Sequence, residues 1–285
     1  MPELPEVETI ARILRQGGPG TEPVTGRIIQ STDVFWDRTI AAPATEEFQK
    51  ALPGRCIKTV DRRGKYLVIT LDRGALLIHL KMSGDLRVEP AVDVNGHAFP
   101  PVLHDRVMVI FKDGMRLVFN DARKFGRMWL VDDQQEITGR LGPDPLKDSF
   151  SPEQLFTRLK ERQRQLKPLL LDQGFIAGLG NIYTDEALHL AGLHPLILSN
   201  QVSRAEAGKL WTAIRQVLEE GIRTNGASID WVYRGGEFQN HFRVYRRTGQ
   251  PCPTCGNPVQ RMVVGQRGTH YCPVCQPLQE NFHVQ

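Results

Sequence analysis

No run of apolar residues in this sequence approaches the roughly 20 that a helical membrane span requires. The charged amino terminus also lacks the apolar core of a secretory signal, so a cytoplasmic protein is expected. Cysteine is scarce: there are 5 in 285 residues, and all but Cys56 lie between positions 252 and 275. Without an export signal, disulfide bonding is not the expected use of that cluster. There is no internal repeat and no low-complexity tract. Ordinary globular domains remain, and the length suffices for two with separate cores.

Acidic residues are nearly missing from two stretches. Arg55, Lys58, Arg62, Arg63 and Lys65 have only Asp61 among them, and Arg234, Arg243, Arg246, Arg247, Arg261 and Arg267 have only Glu237. The net charge of +4 is mild, so its distribution matters more than its size. Two such clusters suit a polyanionic partner, and each is also compatible with a plain solvated face.

What is present reads as two textures. Leu4 to Gln16 is an amphipathic helix with Leu4, Val7, Ala11 and Leu14 on one face and Gly17-Gly18 as its stop. Residues 27–131 read as mostly strand. Ile57–Leu71 and Ala75–Met82 flank the turn Asp72-Arg73-Gly74, and Arg106–Phe111 and Met115–Phe119 flank Asp113-Gly114. Repeated hairpins with half-buried alternation predict a β-sandwich or barrel. Leu141-Gly142-Pro143-Asp144-Pro145 then marks a linker. Beyond it, Ser151-Pro152-Glu153-Gln154 and Ser203-Arg204-Ala205-Glu206 are helix starts, and another helix follows Lys167-Pro168. The helical part runs to about Thr224. The predicted organisation is α+β: 1–143 a β-sandwich or barrel with an N-terminal helix, 144–150 a linker, 151–240 helical, and 241–285 a cysteine-bearing module and tail.

Three segments carry chemistry. Pro2 follows a removable Met1, and once exposed its secondary amine is a competent imine-forming nucleophile. A terminal amine titrates near ~7.7, and a helix N-terminus disfavours its protonated form. Glu3 and Glu6 stand a turn apart beside it, suited to proton transfer. Pro2 and Pro5 are equally what an ordinary helix start contains. Cys252-Pro253-Thr254-Cys255 and Cys272-Pro273-Val274-Cys275 have zinc-site spacing, and four thiolates make a closed structural Zn2+ shell. The turn between them would carry Arg267 at its tip, free in solvent or on a phosphate. Cys56 reads as a small core residue. Gly178-Leu179-Gly180-Asn181 lacks the third glycine of a dinucleotide fold and follows helical sequence, so a turn between helices fits, with Asn181 at a helix start. Backbone N–H groups there suit a phosphate, with Lys167 upstream.

Pro2-Glu3-Leu4-Pro5-Glu6-Val7-Glu8-Thr9, Gly178-Leu179-Gly180-Asn181-Ile182-Tyr183 and the closing four-cysteine module together resemble the bacterial formamidopyrimidine-DNA glycosylase family, in its order and over nearly the whole chain. The resemblance implies an N-terminal β-sandwich, a helix–two-turns–helix domain and a zinc finger, acting as a monomer on duplex DNA bound between the domains. It implies excision of oxidised purines with strand cleavage at the abasic site, in a cytoplasmic, nucleoid-associated bacterial enzyme. By the same resemblance Pro2 is the nucleophile, Glu3 the proton donor and acceptor, Glu6 a support, and Lys65 a catalytic phosphate contact. Met82, Arg123 and Phe125 would fill the space of a flipped-out base. Core packing is the other reading of Met82 and Phe125, though their polar, Gly-bearing flanks suit loops better. His104, Lys167, Asn181 and Arg267 would hold the DNA backbone, with Arg267 also supporting catalysis.

Ala122 stands where the family usually has Pro. Residues 230–239, in the place of the family's damaged-base loop, look shortened at Tyr233-Arg234-Gly235-Gly236, and the ten residues after Cys275 lie beyond the family pattern. Two other functions compete: an endonuclease VIII-type glycosylase for oxidised pyrimidines, and a catalytically silent protein that binds damaged DNA. Leu4-Pro5 argues against the first; Pro2, Glu3 and Lys65 together argue against the second.

Overall fold

The structure, a computed structural model, describes residues 1–228 and 235–278. The chain forms two compact units, one spanning Met1–Arg140 and the other Leu141–Ala227 and the residues from Gly236 on. Among the described residues no helix is long and apolar enough to cross a membrane.

The first unit begins with α1 (Leu4–Gln16), whose Leu4, Val7, Ile10, Ala11 and Leu14 are all buried, as their spacing requires. The helix ends at Gly17, whose φ of 83° suits glycine. One sheet holds β1 (Ile29–Val34), β7 (Asp105–Phe111), β8 (Met115–Asp121) and β6 (Gly84–Pro90), in that order and all antiparallel. The other is ordered β2 (Ile40–Ala42), β9 (Arg127–Val131), β5 (Ala75–His79), β4 (Tyr66–Leu71) and β3 (Ile57–Arg63), with only the β2–β9 pair parallel. Helices α2 (Thr45–Ala51) and α3 (Gln135–Thr138) are short additions. Val107, Phe111, Leu117 and Phe119 of the first sheet share one core with Val60, Leu67, Ile69 and Ile78 of the second, joined by α1. The unit is a β-sandwich.

Two expected strands are shorter than their sequence runs. The run from Ile57 to Leu71 breaks into β3 and β4, because Gly64 takes a φ of 58° and lets Arg63 pair with Tyr66 across a two-residue turn. The run from Ala75 to Met82 stops at His79, where Lys81 takes a φ of 53° and the Gly84 N–H closes a turn onto Leu80 O, 2.9 Å. Both breaks place a site residue, Lys65 or Met82, in a turn. Cys56 is half-buried rather than a core residue, with its Sγ 3.6 Å from Gly26 O.

The second unit contains α4 (Pro152–Lys160), α5 (Leu166–Leu171), α6 (Asn181–Ala191) and α7 (Arg204–Arg223). Ser151 and Ser203 cap α4 and α7 by accepting the Gln154 and Glu206 N–H groups. The hairpin of β10 (Gln260–Val264) and β11 (Arg267–Tyr271) follows. The buried Glu186 carboxylate on α6 accepts the N–H groups of Arg243, Val244 and Tyr245 at 2.8, 3.0 and 2.8 Å, holding the approach to that hairpin. Burial pushes the Glu186 carboxyl up, while these amides pull it down.

Candidate active site

The amino terminus is held by helix capping. Pro2, Glu3 and Glu6 are buried, and the Glu3 N–H donates to Glu6 Oε2 at 2.7 Å. That bond occupies a first-turn donor and fixes the peptide following Pro2. Farther along, Glu8 Oε2 accepts from Arg62 Nε at 2.9 Å, and Arg15 reaches Val60 O at 2.8 Å and Asp61 at 3.1 Å. Stepping toward the helix N-terminus therefore steps along β3 toward the Gly64-Lys65 turn. Lys65 in that turn is only 4% exposed. The first basic cluster is thus partly structural, since Arg62 binds Glu8 and Arg55 holds Ala51 O and Arg73 O.

His79, absent from the sequence-based candidates, sits on β5 opposite Tyr66 and Arg127. Its ring meets Tyr66 edge-on at 4.7 Å, and its Nδ1 accepts the Lys81 N–H at 2.9 Å. Burial, followed by the charges of Lys81 and Lys65, lowers its pKa to about 3, so it is a neutral imidazole with its proton on Nε2. The motif His79-Leu80-Lys81-Met82 held this signal, but a buried strand histidine reads as core until the lysines are seen around it.

Met82, Arg123 and Phe125 all lie outside the core. Met82 is 40% and Phe125 47% exposed, and the Arg123 guanidinium covers the Phe125 ring at 5.2 Å. Lys124, with a φ of 61°, places its Nζ 3.9 Å from the centre of the Trp36 ring. His104 is half-buried with a φ of 75°, and its Nδ1 lies 3.2 Å from Arg106 Nη2.

In the second unit Lys167 is fully buried. Its Nζ lies 2.6 Å from Asp185 Oδ1 and 3.1 Å from Gly268 O. Asn181 opens α6, and its Nδ2 also donates to Gly268 O, at 3.0 Å. Gly268 adjoins Arg267, which is exposed at the start of β11. Lys167, Asn181 and Arg267 thus converge on one edge of the hairpin. Of the second basic cluster, Arg243 and Arg247 are tied into the unit, whereas Arg261 and Arg267 face solvent.

The four cysteine sulfurs of Cys252, Cys255, Cys272 and Cys275 lie within 4.8 Å of one another. The Cys252–Cys275 and Cys255–Cys272 pairs are 3.8 and 3.4 Å apart. Tetrahedral zinc with Zn–S bonds of about 2.3 Å spaces its sulfurs by about 3.8 Å, so the donor set fits Zn2+. Asn257 amide groups pull the Cys255 thiol down to about 6, while burial pushes those of Cys272 and Cys275 up. His189 Nε2 lies 3.2 Å from Cys252 Sγ, and burial, then Arg243 and Arg247, lowers its pKa to about 4. A neutral His189 can donate to a metal-bound thiolate there. The four thiolates hold one structural zinc and leave no open position for catalysis.

These features define a zinc-finger protein with a β-sandwich and a helical unit. Residues 1–128 match the formamidopyrimidine-DNA glycosylase N-terminal domain, 141–232 the H2TH domain of that glycosylase, and 249–278 the zinc finger found in FPG and IleRS. The chain is 44% identical to the formamidopyrimidine-DNA glycosylase of Protochlamydia amoebophila, over 97% of this chain and 99% of that protein. It is likewise 44% identical to that of Chloroflexus aggregans, over 98% and 99%. The solved structure of Lactococcus lactis Fpg (MutM) with DNA containing N7-benzyl-Fapy-dG superposes with a TM-score of 0.86 at 34% identity, covering 97% of this chain and 100% of that one. The same protein is known with abasic-site DNA, and with DNA containing an oxidised pyrimidine, each at a TM-score of 0.85. The chain belongs to the formamidopyrimidine-DNA glycosylase family. Of the expected damaged-base segment, residues 230–234, including Tyr233 and Arg234, lie outside the described residues, as do 279–285 of the tail.

Proposed function

We propose that this protein is a DNA glycosylase and abasic-site lyase of base excision repair, removing oxidised purines such as 8-oxoguanine and formamidopyrimidines from duplex DNA. The observation that supports it best is the amino terminus: Pro2 and Glu3 buried at the head of a helix whose register along β3 leads toward Lys65.

With Met1 removed, the Pro2 nitrogen attacks C1′ of the damaged nucleoside and the C1′–base bond breaks, the base leaving with a proton. The sugar ring opens to a cationic iminium between Pro2 and C1′, with Glu3 carrying the protons. The iminium acidifies C2′, and loss of its proton expels the 3′ phosphate. A second elimination expels the 5′ phosphate, and water releases the sugar remnant from Pro2. Glu6 is used in capping, so it positions Glu3 rather than exchanging protons. Lys65 holds the phosphate beside the reacting sugar.

Met82, Arg123 and Phe125 enter the stack vacated by the base, a step opposed by a few kcal/mol of lost stacking and pairing. Asn181, Arg267 and His104 hold the backbone. Lys167, turned into the protein, serves this contact by fixing Gly268 beside Arg267. Residues 1–143 carry the chemistry, 144–150 link, 151–240 and 241–285 grip DNA, and the enzyme works as a monomer in the bacterial cytoplasm at the nucleoid.

Comparing single-turnover excision from 8-oxoguanine and thymine-glycol duplexes tests the substrate. Faster removal of 8-oxoguanine is expected; a clear preference for thymine glycol would assign the protein to oxidised pyrimidines instead.

A further inference from the structure

Met82 and Phe125 stand on different loops, one leading into β6 and one joining β8 to β9. A pair of loops that must push into a base stack is effective only if neither recoils independently. Asp121, the last residue of β8 and 1% exposed, lies where the two meet. Its Oδ1 accepts the Ser83 hydroxyl and, at 3.2 Å, the Arg123 N–H, while its Oδ2 accepts the Gly126 N–H at 2.7 Å. Ser83 Oγ shares the Arg123 N–H at 3.1 Å. The Asp121 main chain adds a third loop, donating to His104 O at 2.9 Å and accepting from Arg106 Nε at 2.8 Å.

Beneath these bonds the packing leaves no slack. A Cβ at Gly84 or Gly126 would overlap the Phe119 ring, so both loops lie directly on the same aromatic floor. Lys81 and Lys124, beside Met82 and Phe125, each hold a left-handed backbone, a conformation that persists only where its surroundings enforce it. A buried carboxylate accepting from both loops supplies that enforcement, since charge-assisted hydrogen bonds are roughly twice as strong as neutral ones.

We propose that Asp121 is a positioning residue which, through Ser83, locks the Met82 loop to the Arg123–Phe125 loop so that the three side chains enter the duplex as one rigid wedge. The proposal rests on the wedge role given above to those side chains. Asparagine is the incisive replacement: its NH2 would face either the Gly126 N–H or the Arg123 N–H, so one loop must detach while volume is preserved.

The test measures excision of a paired 8-oxoguanine and cleavage of a preformed abasic site with the same protein, and takes their ratio. Asp121→Asn should lower that ratio at least about tenfold, Ser83→Ala should lower it less, and Phe125→Ala should lower it as a reference. Combining Asp121→Asn with Phe125→Ala should lower it little beyond Phe125→Ala alone, because coupled residues are not additive. A purely structural Asp121 would slow both reactions equally, and that result, or full additivity with Phe125→Ala, overturns the proposal. If Asp121→Asn does not fold, Ser83→Ala alone decides: an unchanged ratio rejects the lock. An unchanged ratio in Phe125→Ala would instead reject the wedge and the lock together.

Discussion

Lys167 Nζ lies 2.6 Å from Asp185 Oδ1 with both side chains fully buried, and Asp185 Oδ2 accepts the His270 N–H at 2.9 Å. This pair joins α5 to α6 and both to the zinc hairpin. Removing Asp185 alone strands a buried ammonium, which costs about 3–5 kcal/mol. Asp185→Leu should therefore destabilise the protein strongly in chemical denaturation, and Lys167→Met with Asp185→Leu should recover part of the loss. A loss for Asp185→Leu alone of less than about 1 kcal/mol would contradict an intact buried pair.

The zinc module should stand or fall as a unit. Cys252→Ser or Cys272→Ser opens a closed four-thiolate shell and should lower zinc content and damaged-duplex affinity together. Elemental analysis beside a binding titration checks this, and normal affinity in zinc-free protein would refute it.

Arg267 is exposed beside the Gly268 carbonyl that Lys167 and Asn181 hold. Arg267→Ala should weaken binding to damaged and undamaged duplexes alike, and make the logarithmic salt dependence shallower by about one unit. An unchanged slope would mean that this side chain is merely solvated.

The amphipathic helix, the hairpins of a sandwich or barrel, the caps at Ser151 and Ser203 and the four-cysteine shell were legible because each depends on local periodicity or spacing. The Lys65 turn was not, because the strand-forming residues on either side of Arg62-Arg63-Gly64-Lys65 suit one continuous strand and only Gly64's left-handed backbone breaks it. Lys167 reads as a phosphate contact until Asp185, 18 positions later, is placed against it and turns it into the protein. Asp121 and His79 stood out no more clearly: Ser83 reaches Asp121 only through the pairing of β6 with β8, and Lys65 comes near His79 only through the β4–β5 hairpin.

His79 gives a pH signature. Its pKa is about 3 in the fold against 6.5 ordinarily, so between these values the unfolded chain binds a proton that the folded one does not. Stability owed to this group is complete above pH 6.5 and falls as pH drops toward 3, by up to about 1.4 kcal/mol per pH unit. Denaturation midpoints followed from pH 7 to 4.5 should decline less steeply in His79→Gln than in the parent. Parallel curves would show that the ring titrates as it does in water.

Borohydride trapping on an 8-oxoguanine duplex tests most directly whether the Pro2 nitrogen forms the bond to DNA. Reduction should yield a covalent adduct that maps to the amino-terminal peptide through Pro2. Residues added ahead of Pro2 should abolish it while much of the damaged-DNA affinity remains, since an amide nitrogen has no available lone pair. Glu3→Gln should bind but lose most excision, because it keeps the shape and removes the proton carrier. An N-terminally extended protein that still forms the adduct at full rate would show that Pro2 is not the nucleophile and shift the chemistry to a lysine such as Lys65.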